Sequence, residues 1–519
     1  MFILRCLAGV KRAAMVLKLC LRAFVDEYFC TEHFNTRTKK CRNMAGYYVF
    51  KIALAPQKKL HMKKLASNIL PVVFILLIGC KNNPTTVETI TANSTSTAVI
   101  LHPDWIMQGN IYEVNMRQYT KEGTFKAFEA NLDRLKEMGV QTLWFMPITP
   151  ISKIDRKGTL GSYYAVADYT GINPEYGNLA DWKHLVNTAH EKGFKVLTDW
   201  VANHTGADNG WLTRHPDFFE KDSSGKAAYA FDWSDTRSLD FTNNEMRDSM
   251  IAAMKYWLTE TNIDGFRCDV AGEVPDDFWK TCIAELKKVK PILMLAEGDK
   301  GSLHGAGFNI SYAWNMFQMT KKIAMGERPA SAIDSIVNQV DSTFPENALR
   351  LYFTSNHDEN SWNMADYGTM PGASHAPFAV LTQTMVRGIP LVYSGQEEPV
   401  LKKIEFFEKD AMPFGKFGRA KFYKTLLELR KNNAALAANA SFKKVVAGNE
   451  KAVYAFVREK AAKKVLVILN LSNKPQTLQV KEKEFYGKPF NVFMNTTEPL
   501  NDRQWQIDPW GYVIYEARN

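Results

Sequence analysis

Beyond residue 80 this chain of 519 residues holds only two cysteines, Cys268 and Cys282, out of seven in all. Two thiols exclude a disulfide framework and offer no metal-binding spacing. Internal repeats, coiled-coil heptads and a phosphate-cradling glycine loop are also absent, which removes solenoids, rod-like assemblies and common nucleotide-binding folds. A one-sided charge is missing from most of the chain as well. The formal net charge is +10, yet residues 1–79 carry 14 Lys/Arg against 3 Asp/Glu, and the rest carries 51 against 52. A body of net charge −1 gives no basis for nucleic-acid binding, and none is expected. What is present is apolar and aromatic: 46% hydrophobic and 12% aromatic residues, enough for one large core and a satellite domain.

The basic excess has a local explanation. Met62-Lys63-Lys64 opens a charged segment, Ile69 to Ile78 is apolar apart from Pro71, and Leu77-Ile78-Gly79-Cys80 follows. The apolar stretch is shorter than the ~20 residues a membrane-spanning helix needs, and it suits a secretory signal. Its ending resembles a bacterial lipobox, which implies a lipidated Cys80, export, and anchoring in the cell envelope, periplasmic or outer-membrane. We therefore expect residues 62–79 to be a lipoprotein signal and 80–103 a polar tether. Residues 1–61 are expected to be an upstream extension foreign to the native protein.

From Trp105 onward, short apolar runs alternate with amphipathic segments. Strands are predicted at Ile111–Val114, Val140–Met146, Phe194–Trp200, Asp264–Val270, Ile292–Ala296, Leu351–Ser355 and Pro390–Tyr393. Helices are predicted over Phe125–Met138, Leu179–Lys192, Asn244–Thr261 and Asp277–Lys290. Strand and helix alternating over this length, with no linker, predict an α/β fold, a single (β/α)8 TIM barrel over 104–437. The segment from about 204 to 240, rich in Gly, Asp, Ser and aromatics, breaks the rhythm after the third strand and reads as an insertion. Residues 438–519 turn to strands and turns, among them Val453–Val457 and Val465–Leu471, and predict a small antiparallel β domain.

Polar clusters sit where barrel strands end, the face on which such folds build active sites. They are Asp199, Asn203 and His204; Arg267 and Asp269; Glu297; and Asn356, His357 and Asp358. A charge following an apolar strand is costly unless it faces a paired, solvated site. Arg267 and Asp269, two apart on one strand, point the same way, so the arginine is expected to keep the carboxylate ionised. A second carboxyl nearby as proton donor completes the working pair of a retaining glycosidase.

The runs Asp199-Trp200-Val201-Ala202-Asn203-His204, Gly265-Phe266-Arg267-Cys268-Asp269, Ala296-Glu297 and Ser355-Asn356-His357-Asp358 together resemble the four ordered motifs of the α-amylase family, glycoside hydrolase family 13. The resemblance spans about residues 104–519. It implies a barrel with an inserted B domain after strand three, a C-terminal β-sandwich, and cleavage of α-1,4-glucosidic bonds in starch-type glucans or maltooligosaccharides. It makes Asp269 the nucleophile, Glu297 the acid/base and Asp358 the transition-state stabiliser. His204, Arg267 and His357 would contact the sugar, with Tyr164 as the aromatic platform beneath it. Trp211, Phe218, Phe219 and Trp233 are left between outer subsites and local packing.

Two departures bear on specificity and metal. Many family members have Lys-His where this chain has Ala271-Gly272-Glu273, which leaves open cyclomaltodextrinase- or neopullulanase-like action, an α-glucosidase or a transglycosylase. Met116-Arg117-Gln118-Tyr119 lacks the Asp/Asn cluster of one family calcium site; the other would use Asn203. No cofactor is required, with calcium an optional ion, and a monomer is expected. A non-catalytic glucan-binding relative would lack a member of the carboxylate triad, and all three are present.

Overall fold

A computed structural model describes residues 100–370 and 372–517. The expectations for residues 1–61, the signal at 62–79, Cys80 and the tether up to residue 99 lie outside the described residues. Among the described residues no helix is long and apolar enough to cross a membrane.

Eight parallel strands close into a barrel: β1 (Ile111–Val114), β2 (Thr142–Phe145), β3 (Lys195–Val201), β4 (Gly265–Asp269), β5 (Leu293–Ala296), β6 (Ile310–Tyr312), β7 (Leu349–Tyr352) and β8 (Gly388–Tyr393). They pair in chain order, and β8 returns to β1. Most are buried along their whole length, as strands covered on one face by helices and on the other by a packed interior must be. Helices cover the outside, among them α1 (Leu179–Glu191), α2 (Asn244–Thr261) and α3 (Asp276–Lys287). Local chemistry starts them well. Asn178 and Asp181 form a reciprocal capping box at the head of α1, and the Asn243 side chain caps α2. The predicted helix over 125–138 is two pieces, Phe125–Glu129 and Leu132–Met138, whose apolar side chains share the predicted inward face.

β6 carries no predicted strand, because Ile-Ser-Tyr is too short to show a period. β7 begins two residues before its predicted start. Its Arg350 is buried, paired with Asp299 and Ser311, so a charge sits inside a strand without meeting solvent.

Gly265 opens β4 at φ +151°, and a Cβ there would lie 1.9 Å from the Leu293 carbonyl oxygen of β5. Neither strand can yield without opening the barrel. Gly265→Ala is expected to destabilise the protein by roughly 3 kcal/mol, read as a lowered denaturation midpoint. An unchanged midpoint would show that β4 and β5 tolerate separation.

The C-terminal region is an antiparallel sheet of β9 (Ser441–Val445), β10 (Val453–Lys460), β11 (Lys463–Asn470), β13 (Phe490–Asn491), β14 (Thr496–Thr497) and β16 (Tyr512–Glu516), faced by a ribbon of β12 (Gln476–Leu478) and β15 (Trp505–Ile507). Strand alternation divides its two faces. Tyr454 and Phe456 of β10 join the core shared with the barrel, whereas Val453, Ala455 and Val457 pack toward the ribbon.

Candidate active site

The barrel register brings the carboxylates together. Asp199 of β3 lies opposite Arg267 of β4, and Cys268 lies opposite Ala296 of β5. Glu297, one residue past β5, therefore lies level with Asp269, and its N–H donates to the Cys268 carbonyl at 2.9 Å.

Arg267 organises the floor of the site and is fully buried. Nη1 donates to Asp199 and Asp269 at 3.0 Å each, and Nη2 stands 2.9 Å from Glu297 Oε2. Its Nε donates to the Tyr312 hydroxyl at 3.2 Å. The guanidinium sits 5.1 Å from the Trp144 ring, 5.5 Å from Tyr312 and 5.7 Å from Tyr164. One cation thus serves three carboxylates inside an aromatic cage.

Arg267 favours the Asp269 anion as expected, but stronger effects oppose it. Burial, then repulsion from Glu297, pushes the Asp269 carboxyl well above its ordinary range, and Arg267 only opposes this. Glu297 is held below its usual value although burial works against it. Arg267 and the Val270 N–H, which donates at 2.8 Å, stabilise its anion. With one guanidinium shared three ways, the carboxylate that also receives a backbone N–H is the one whose anion is better stabilised. Val270 holds a left-handed φ of +34°, a costly conformation for a β-branched residue, directly after Asp269.

Beyond β7, Asp358 is partly exposed, its Oδ2 3.3 Å from His357 Nε2. His357 is raised to about 9; burial opposes this, and Asp358 and Glu113 outweigh it. His204, wholly buried, is pulled down to about 4 by burial and is neutral at ordinary pH. Tyr164 stacks on His357 with ring centroids 5.3 Å apart, and its hydroxyl reaches Asp199 Oδ2 at 3.2 Å.

Above this floor lies a cavity of about 570 Å³, where Tyr164, His204, Asp269, Glu297, His357 and Asp358 come together. Arg267 lies beneath it. Of the insertion aromatics only Trp233 reaches the cavity, edge-on to His204 at 5.4 Å. Phe218 and Phe219 are buried, and Trp211 packs on Tyr169 and Phe218. The insertion itself is a two-stranded ribbon, His204–Gly206 with Thr236–Ser238, around a short helix.

Several groups at the site were not predicted. Trp362, Phe406 and Phe407 form an aromatic wall on the loops after β7 and β8. Lys157 and Asp235 pair at 3.0 Å, tying the long loop after β2 to the insertion. Lys300, from the loop after β5, donates to the Gly272 carbonyl and stands 3.5 Å from Glu273. Glu113 of β1 lies beneath His357. Single aromatics and lysines on loops carry no sequence period, so only a strand-end carboxylate such as Glu113 had a readable signal.

Asn203 does not line the cavity. Its side-chain amide faces His204 Nδ1 at 3.3 Å, and among the described residues no group of three or more His, Cys, Asp or Glu side chains is placed to hold a metal ion. A calcium ion takes six to eight oxygens, of which the Asn203 side chain would supply one.

A closed eight-stranded parallel barrel with clustered carboxylates at the C-terminal strand ends, followed by an antiparallel β domain, defines the class as a glycosidase-type barrel enzyme. Comparison with known proteins specifies it. Residues 92–237 match the alpha amylase catalytic domain, and residues 442–514 the maltogenic amylase C-terminal domain. The crystal structure of an α-amylase from Lactobacillus plantarum superposes with a TM-score of 0.71 at 30% identity, over 79% of this chain and 99% of that one. Neopullulanase 2 of Thermoactinomyces vulgaris is 27% identical over 439 residues, 76% of this chain and 71% of the relative. An α-amylase of Haloarcula japonica is 26% identical over 407 residues, 72% of this chain; the match spans 57% of that relative's own length. The chain belongs to the α-amylase family of glycoside hydrolases.

Proposed function

We propose that this protein hydrolyses α-1,4-glucosidic bonds of starch-type glucans or maltooligosaccharides with retention of configuration, through a covalent glycosyl-enzyme intermediate. The observation that carries the proposal is the pairing of Asp269 and Glu297 on one guanidinium at the cavity floor, with Asp358 nearby on the cavity wall. Two carboxyls this intimate suit nucleophile and acid/base better than a pair held apart to admit a water.

Asp269 attacks the anomeric carbon and forms an ester bond as the glycosidic C–O bond breaks. Glu297 delivers a proton to the leaving oxygen, then takes one from the water that opens the ester. In the free site the surroundings favour the anion on Glu297 over Asp269, so the reactive form, with the proton on Glu297 and the charge on Asp269, is the one a bound sugar has to favour. A sugar whose anomeric carbon lies over Asp269 favours the anion there, because positive charge develops at that carbon. The glycosidic oxygen beside Glu297 gives its proton a destination. Asp358, with His357 and neutral His204, binds the hydroxyls flanking the reacting carbon, and Tyr164 lies beneath the ring.

Export with a lipid anchor at Cys80 belongs to the same proposal, and rests on the sequence from Met62 to Cys80. A neopullulanase-like preference is the second reading, favoured by the C-terminal match to maltogenic amylases and by Ala271-Gly272-Glu273 beside the nucleophile. Product analysis on soluble starch, maltoheptaose, pullulan and cyclodextrin separates the two, with proton NMR of the first anomer released. The α-anomer is expected first. A β-anomer would overturn retention, and inertness toward every α-glucan would overturn the function.

A further inference from the structure

We propose that Glu113 is a positioning residue for the reaction proposed above: it holds the His357 imidazole by Nδ1 from beneath, so that Nε2–H is presented to Tyr164, Asp358 and the sugar. Glu113 is the third residue of β1 and is wholly buried in the barrel, and one carboxylate oxygen meets His357 Nδ1. Its other oxygen, Oε2, has no hydrogen-bond partner among the described residues. Its backbone is locked in place, because both the N–H and the hydroxyl of Ser394 donate to the Glu113 carbonyl.

The imidazole is equally constrained. It is stacked on Tyr164 and met edge-on by Trp144 at 6.1 Å. Nε2 is 2.8 Å from the Tyr164 hydroxyl and 3.3 Å from Asp358 Oδ2. A polar chain therefore runs from Glu113 through His357 and Tyr164 to Asp199 and Arg267.

The choice of a carboxylate is informative. A neutral glutamine oxygen would orient the ring as well, without the cost of burying a charge. A half-satisfied buried carboxylate is justified when the ring beside it is cationic and both of its nitrogens donate. The groups facing His357 act in both directions, and the carboxylates prevail. Glu113 from β1 and Asp358 beside it favour the imidazolium; Arg267 from β4 and burial oppose it. Tyr164 and Asp199 complete the polar surroundings, and Tyr393 of β8 lies against Glu113. A neutral His357 would have one ring proton to divide between Glu113 and the cavity; an imidazolium serves both.

The sign with pH follows. His357 sits at about 9 against an ordinary 6.5, so its ion pairs are fully formed below the ordinary value and are lost as pH rises through about 9. The test is Glu113→Gln in the full chain, with kcat, KM and pH–rate profiles on maltoheptaose. The expected result is a kcat lower by on the order of a hundredfold, a KM changed by less than about twofold, and an alkaline limb moved to lower pH. Glu113→Asp, which keeps the charge, is expected to keep most of the limb's position. Wild-type kcat with an unmoved limb in Glu113→Gln would overturn the proposal.

Nitrogen NMR of the histidine rings reads the same couple without turnover, with His357→Asn identifying the resonance. His357 should be doubly protonated at neutral pH in the wild type and lose that proton at lower pH in Glu113→Gln. An identical titration in both would overturn the proposal even if no glucan is cleaved, so its failure is distinct from failure of the proposed function. Should Glu113→Gln not fold, the wild-type ring decides: a singly protonated His357 at neutral pH overturns the proposal.

Discussion

Asp269→Asn is expected to lower turnover of maltoheptaose by at least about a thousandfold and to leave the fold intact. The amide keeps the shape and accepts from Arg267, but it cannot form the ester. Stability separates this loss from damage to the fold. Because burial raises the Asp269 carboxyl above its unfolded value, its stabilising contribution is present at low pH and lost as pH rises through the folded value. Removing the charge is therefore expected to leave the melting temperature at pH 7 equal to or above that of the wild type. Glu297→Gln should differ in kind. It should lose natural substrates, yet still form the glycosyl-enzyme from aryl glycosides whose leaving groups need no proton. Asp269→Asn with wild-type turnover would remove it from the nucleophile's position, and equal loss on all substrates in Glu297→Gln would deny it the acid's part.

The second large effect belongs to Arg267. Its two terminal nitrogens reach Asp199, Asp269 and Glu297, and it is wholly buried. Lysine carries the same charge on a single shorter point and cannot span the three. Arg267→Lys is expected to cost about 3–5 kcal/mol in urea denaturation, since at least one buried carboxylate loses its partner. Turnover should fall with it, and the acid limb of the pH–rate profile should move up, because carboxylates stripped of a cation hold their protons to higher pH. An unchanged midpoint and an unmoved acid limb would show that Trp144, Tyr312 and Tyr164, not the fork of Arg267, set the site.

Seven of the eight barrel strands and the helices of the first half of the barrel were legible because their periods are strong. The helices Trp314–Ala324, Ile333–Thr343, Ala376–Thr384 and Ala420–Asn432 had no predicted counterpart. α2 begins and ends where its pattern says, bounded by the Asn243 cap and by Asn262 in the left-handed region at φ 56°. β6 was invisible for want of length, and β9 because its Ser-Phe-Lys-Lys-Val is a partly exposed edge strand, where lysines protect an open edge and blur alternation. The candidate carboxylates were legible for a different reason: each stands at or just past the end of a short, largely apolar strand, where a charge needs a partner even when it is buried.

The residue types and their order along the chain determined the barrel, the antiparallel domain and which acids stand at the mouth, because strand and helix periods are local and an ionised end to a buried strand needs a reason. Only the tertiary structure decided how the charge is shared. Arg267 divides its fork among carboxylates from three strands, Val270 lends Glu297 a backbone donor, and Glu113 meets a histidine 244 positions away. Burial and proximity set those ionisation states, and both come into being only when the barrel closes.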